Sequence, residues 1–131
     1  MDSAKLSQLV DKKAFDFDFK TLKDLSTDPF VFVALIEASN GVTLTPKTLF
    51  LSERSEIHHR NRPHECLAFA MKLTARITEK IPFTKQVTIK EHLTCSMGIQ
   101  VTSSQYLIVT CIASNYDDAE WVTSSFLKIL S

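Results

Sequence analysis

Apolar residues along this chain recur with two different periods, and the switch between the periods marks out its elements. Phe30-Val31-Phe32-Val33-Ala34-Leu35-Ile36 is a solid apolar run, extended past Glu37 to Ala38 and bounded by Pro29 and by Asn40-Gly41. A run of that length between two turn signals predicts a strand covered on both faces. Asn40-Gly41 is the strongest short hairpin signal, so Val42 to Ser52 is expected to return beside it. Pro46 lies within that return and removes a backbone donor, which demands an edge position, a bulge or a break. The polar stretch Glu53 to Arg62 reads as a loop. From Pro63 to about Lys80 the period becomes helical, with Cys66, Phe69, Ala70, Leu73, Ile77 and Ile81 on one stripe. Pro63 suits a first helical position, Glu65 complements the helix dipole, and Pro82 stops the helix.

Three strands are predicted next. Gln86 to His92 alternates, with Val87 and Ile89 on one face. Cys95, Met97, Ile99 and Val101 alternate likewise, and Gln105 to Ser114 is a second solid apolar run suited to a central strand. Asn115, Asp117 and Asp118 then cap a last helix whose stripe is Val122, Phe126, Ile129 and Leu130. Ahead of Phe30, Ser3 to Ala14 has helical spacing, Phe15-Asp16-Phe17-Asp18-Phe19 alternates as a linker, and Thr21 to Leu25 makes a short helix. The order is α-β-β-α-β-β-β-α. It predicts an α/β (α+β) domain over residues 18–131, after an N-terminal helical and linker segment 1–17. Its sheet is five-stranded and mostly antiparallel, with helices on both faces.

Composition narrows the function classes. The chain has 131 residues, 44% of them apolar, which is enough for one core and too apolar for a disordered tail. Its 15 basic and 15 acidic residues cancel, which argues against nucleic acid and against anionic membrane as partners. No run of about 18 apolar residues is present to cross a membrane, and no secretory signal is visible at Met1-Asp2-Ser3-Ala4-Lys5. Cys66, Cys95 and Cys111 are odd in number, widely spaced and apolar in context, so they read as small buried hydrophobes. The expected location is cytoplasmic, with contact to any organelle membrane made through partners. What remains as the natural partner is the surface of another protein.

The strand-and-hairpin segment Phe30–Gly41 leads into this pattern. Val87-Thr88-Ile89, Gly98-Ile99-Gln100-Val101 and Gln105-Tyr106-Leu107-Ile108-Val109 then follow with the spacings of a three-strand meander. In that arrangement the chain resembles the roadblock/dynein-light-chain family, over roughly Asp18 to Leu130. Pro46 and the segment before Asp18 depart from the simplest family pattern. The resemblance implies a non-catalytic dimerising scaffold that works in small-GTPase regulatory or dynein-associated complexes, with no cofactor. It also implies pairing, as a homodimer or heterodimer with a roadblock-like subunit, through the long helix and the strand after it. Longin and profilin-like trafficking adaptor domains share much of the architecture and are the competing resemblance.

Candidate contact residues follow from the pattern itself. The long helix carries a second apolar line, Leu67, Met71 and Ala75, which needs a cover other than the sheet. Val87 and Ile89 belong to a strand that is otherwise an edge, and edges need a partner or a guard. These five residues form the expected dimer interface. Trp121, beside the Val122 stripe, and Phe15 and Phe17 are the expected partner-binding residues. Catalytic chemistry has a thinner basis. His58, His59 and His64 lie close together beside Glu65, and His92 could join them, but none has the i,i+4 spacing of a helical metal site. Arg54, Arg60 and Arg62 oppose a cation there. Two glycines, Gly41 and Gly98, are too few for a phosphate-binding loop or a nucleophile elbow. An enzyme working from the histidine loop with Cys66 or Cys95 is the alternative to a binding module, and a deep pocket with convergent polar groups would distinguish it.

Overall fold

The computed structural model describes residues 29–39, 42–43, 46–51 and 63–130. β1 (Phe30–Ser39) is followed by β2 (Val42–Thr43) and β3 (Lys47–Leu51). Then come α1 (Pro63–Thr78), β4 (Val87–Glu91), β5 (Thr94–Thr102), β6 (Gln105–Ile112) and α2 (Tyr116–Leu130). The N-terminal segment, with the expected helices Ser3–Ala14 and Thr21–Leu25, lies outside the described residues. So does the loop from Glu53 to Arg62.

The six strand segments occupy five positions in one antiparallel sheet. β2 and β3 both pair with the same side of β1, and the order across the sheet is β2/β3, β1, β6, β5, β4. The expected return strand is therefore present in two pieces. Ala38 pairs with Thr43 but Leu35 with Lys47, so the return side carries one extra residue where Pro46 sits. A second irregularity falls between Val33 and Ala34. A proline cannot donate to the ladder, and the break is the physical consequence.

Register divides the side chains between two layers. Val31, Val33 and Leu35 share a face with Cys111, Val109 and Leu107, and with Cys95, Met97 and Ile99. Helix α2 packs there, since the Thr123 hydroxyl donates to the Cys95 carbonyl at 3.4 Å. Ile36, Tyr106, Ile108 and Gly98 face α1 from the other side. A second apolar cluster forms between α1 and the sheet from Ile36, Ile77, Tyr106 and Ile108, with Phe83, Val87 and Ile89 packed against it. The two solid apolar runs are β1 and β6, side by side and buried from both faces, as parallel-like burial of a central strand requires.

Helix α1 ends at Thr78, two residues short of Lys80, the expected end. Cys66, Ala70, Leu73 and Ile77 are buried, whereas Phe69 and Ile81 are only half-buried. At the start of α2, the Asn115 side-chain oxygen accepts the Asp118 amide at 2.9 Å, and its amide group donates to the Asp118 carboxylate at 3.1 Å. That is a reciprocal cap of the predicted kind.

Candidate interaction surface

The two edges of the sheet differ. The β2/β3 edge is broken at Pro46, shifts register again beside β1, and exposes Lys47. Bulges, proline and lysine are the devices that keep an edge from pairing. The β4 edge has none of the first two. Its five residues pair with β5 in unbroken register, from Val87 opposite Gly98 to Glu91 opposite Thr94.

The hydrogen-bond phase shows which groups β4 presents outward. The Ala113 amide donates to the Leu93 carbonyl at 3.2 Å, which makes 93 and 113 a hydrogen-bonded pair in the β5–β6 register. Antiparallel pairs alternate, so Cys95/Cys111 is also hydrogen-bonded, while Thr94, Ser96 and Gly98 turn their backbone groups towards β4. Their partners Glu91, Ile89 and Val87 are thereby satisfied. Thr88 and Lys90 point their N–H and C=O groups away from the sheet. The β4–β5 turn agrees: His92 and Leu93 both have positive φ, 48° and 61°, as a two-residue type I′ hairpin requires.

Side chains frame this edge. Arg76 of α1 donates to the Glu91 carboxylate, and Lys90 is bonded to Glu120 of α2. The Arg76 guanidinium holds the Glu91 carboxyl below its ordinary range, and the bond to Glu120 raises Lys90. Lys90 is thus folded back against α2. Between α1 and β4 lies an open groove of about 400 Å³ lined by Arg76, Glu79, Lys80, Val87, Thr88 and Ile89.

The five expected dimer residues do not form one patch. Val87 and Ile89 are half-buried beneath α1 at the β4 edge. From α1, Arg76 reaches Glu91 of β4, Ile77 belongs to the cluster that Val87 and Ile89 pack against, and the Phe69 ring lies 5.8 Å from that of His92 in the β4–β5 turn. At about 100° per residue, Leu67 and Met71 project from the opposite flank of α1, and Ala75 from its outer surface. Leu67 packs on the main core, while Met71 is 55% exposed. The signal that separates Arg76 and Phe69 from that line is their i,i+7 spacing, but in sequence it is hidden by the charge of Arg76. Trp121 is half-buried and packs on the edge of the main core. Phe15 and Phe17 lie outside the described residues.

The chemical candidates are placed as follows. His58, His59 and the His64 side chain lie outside what the structure describes. Among the described residues, no three His, Cys, Asp or Glu side chains gather as a metal site. No described helix is long and apolar enough to cross a membrane. Cys66, Cys95 and Cys111 are buried thiols, and burial raises all three, Cys111 most. Protonated and enclosed thiols are poor nucleophiles. Cys95 and Cys111 are direct neighbours across strands, but a hydrogen-bonded pair sets its Cβ atoms about 5.5 Å apart, beyond the reach of an unstrained disulfide. A second open groove, about 300 Å³, is lined by Gln86, Ile99, Ser124, Leu127 and Lys128. There the Ser124 hydroxyl is directed at the Met97 sulfur, 3.7 Å away. No family model, curated protein or solved structure matches the chain.

Proposed function

We propose that this chain is a non-catalytic protein-interaction module that pairs with a roadblock-like subunit through the β4 edge of its sheet. The observation that carries the reading is the asymmetry of the two edges: one is guarded by Pro46, two register shifts and Lys47, and the other runs unbroken for five residues. Among the described residues nothing covers that edge, and such an edge is a template for strand addition, a recurrent mode of protein recognition. The groove between α1 and β4 gives an added element room beside that edge. The roadblock reading is further supported by the sheet order and by the helix set between the return strand and the three-strand meander. With that reading comes the role of a scaffold subunit in a small-GTPase regulatory or dynein-associated complex in the cytoplasm.

Sedimentation equilibrium of the full chain and of Thr88→Pro tests the pairing. The Thr88 amide faces away from β5, so proline there leaves the β4–β5 ladder intact and blocks only the outer edge. The expected result is a dimer for the parent chain and a monomer for Thr88→Pro, with the melting transition preserved. A dimer that survives the proline places the contact elsewhere.

A further inference from the structure

Resting on the reading of β4 as a docking edge, we infer that it takes up an acidic segment: an extended stretch of another protein, with carboxylates at alternate positions held against a basic flank of α1. Lys72 and Arg76 of α1 and Lys80 just past its end follow at steps of four, and all three are exposed. The Lys80 amide donates to the Ile77 carbonyl at 2.9 Å, which carries the turn on to that residue. Residues at this spacing share one flank of a helix, and their contacts place the flank along β4. The Lys72 ammonium lies 6.0 Å from the centre of the Phe69 ring, which stands against His92 in the β4–β5 turn. Arg76 is bonded to Glu91, and Lys80 lines the groove with Val87 and Ile89. The helix therefore runs antiparallel to β4 and sets three cations beside it. Two carboxylates lie among them, Glu79 in the groove and Glu91 on the strand. Glu65 falls on the same flank, but a turn before Phe69 and so past the end of β4.

Among the described residues, Arg76 is the one of the three cations with an ion pair, made through Nη1 alone. Its guanidinium keeps further donors for a second carboxylate. A step of four raises a helix by about 6 Å, and alternate residues of a strand lie about 6.7 Å apart. A row of carboxylates on one face of an added strand thus matches the row of cations on α1. Thr88 and Lys90 turn their backbone groups outward and supply the hydrogen bonds that hold such a strand. Its other face lies on the α2 side, where Lys90 is already bonded to Glu120, so the intervening positions need no charge. A second copy of β4 fits this flank less well. It brings a single carboxylate, Glu91, which Arg76 already holds. An acidic strand of different sequence is the stronger occupant.

Fluorescence anisotropy of short labelled peptides, titrated with the full chain, tests this. One probe alternates threonine with glutamate, a second alternates threonine with lysine, and a third groups the threonines and glutamates of the first into separate blocks. The alternating glutamate probe should bind about tenfold more tightly than either of the others, as two or three exposed ion pairs together supply. Added salt should erase that difference. Lys72→Glu/Lys80→Glu should reverse the preference in favour of the lysine probe, and Thr88→Pro should abolish binding, each with the melting transition preserved. Equal binding of the glutamate and lysine probes, lost in Thr88→Pro, overturns the acidic partner and leaves the β4 edge standing. Equal binding of the blocked and alternating glutamate probes overturns the match of strand to helix. Glutamate-probe binding that survives Thr88→Pro overturns the edge as its seat. If no probe binds, the acidic segment is overturned, and the sedimentation of Thr88→Pro decides the edge separately.

Discussion

Single residues set the tightest constraints where backbone or packing leaves no latitude. A Cβ on Gly98 would come within 2.7 Å of Ile77 Cγ2 and 3.0 Å of the Phe83 ring. Ile77 is fully buried and β-branched and has nowhere to turn. Gly98→Ala should therefore lower unfolding free energy by about 1–3 kcal/mol, measured by urea denaturation, and an unchanged midpoint would show that α1 can shift freely over β5. Leu93 is the converse case. It holds a φ of 61° with a side chain 43% exposed, a conformation glycine adopts without cost. Leu93→Gly should raise stability by about 1 kcal/mol, whereas a loss would mean the leucine contributes more by contact than its backbone costs. The thiols give a pH prediction. Burial raises Cys95 and Cys111 in the folded chain, so at high pH the folded state holds protons that the unfolded state has released. Stability from this source is complete below the ordinary thiol value of about 8.5 and is lost as pH climbs from there through the raised folded values. Alkaline denaturation curves of the parent and Cys111→Ala should differ, with the variant less sensitive to pH; parallel curves would contradict the assignment.

At the scale of elements, legibility followed the local physics of each segment. β1 and β6 were readable because a strand buried on both faces must be apolar at every position, and α2 because Asn115 and Asp118 declare a cap in sequence. The division of the return strand into β2 and β3 was foreshadowed by Pro46, but proline alone did not choose between an edge, a bulge and a break. The β4–β5 turn carries His92-Leu93 instead of Asn-Gly, so its chemistry gave no signal. The face that α1 turns towards β4 was the least legible part. Leu67, Met71 and Ala75 form an apolar line in sequence, yet the rotation of the helix is fixed by how Cys66, Ala70 and Ile77 seat on the sheet. That rotation turns the line away from β4 and brings Arg76 over it and Phe69 against His92 in the adjoining turn. Met71→Glu should accordingly leave the mass of a β4-paired dimer unchanged in sedimentation, and dissociation to monomer would give the far flank of α1 a place in the contact.

For the whole molecule, the described residues form one sheet with one guarded edge and one edge left unpaired among them. The net charge is zero, so any association gains little from long-range attraction and rests on shape, close contact and backbone pairing. The β4 edge supplies the last of these, with Thr88 and Lys90 carrying four backbone groups that no strand pairs with among the described residues. Val87, Ile89 and Glu91, in contrast, bond to β5 whether or not a partner is present. Pairing therefore writes an alternating signature along a single strand. Residue-resolved amide hydrogen exchange across a dilution series reads it directly. Val87, Ile89 and Glu91 should exchange slowly at every concentration, while Thr88 and Lys90 are slow in concentrated solution and become fast on dilution; fast exchange of Thr88 and Lys90 in a chain that is demonstrably dimeric would contradict pairing through β4.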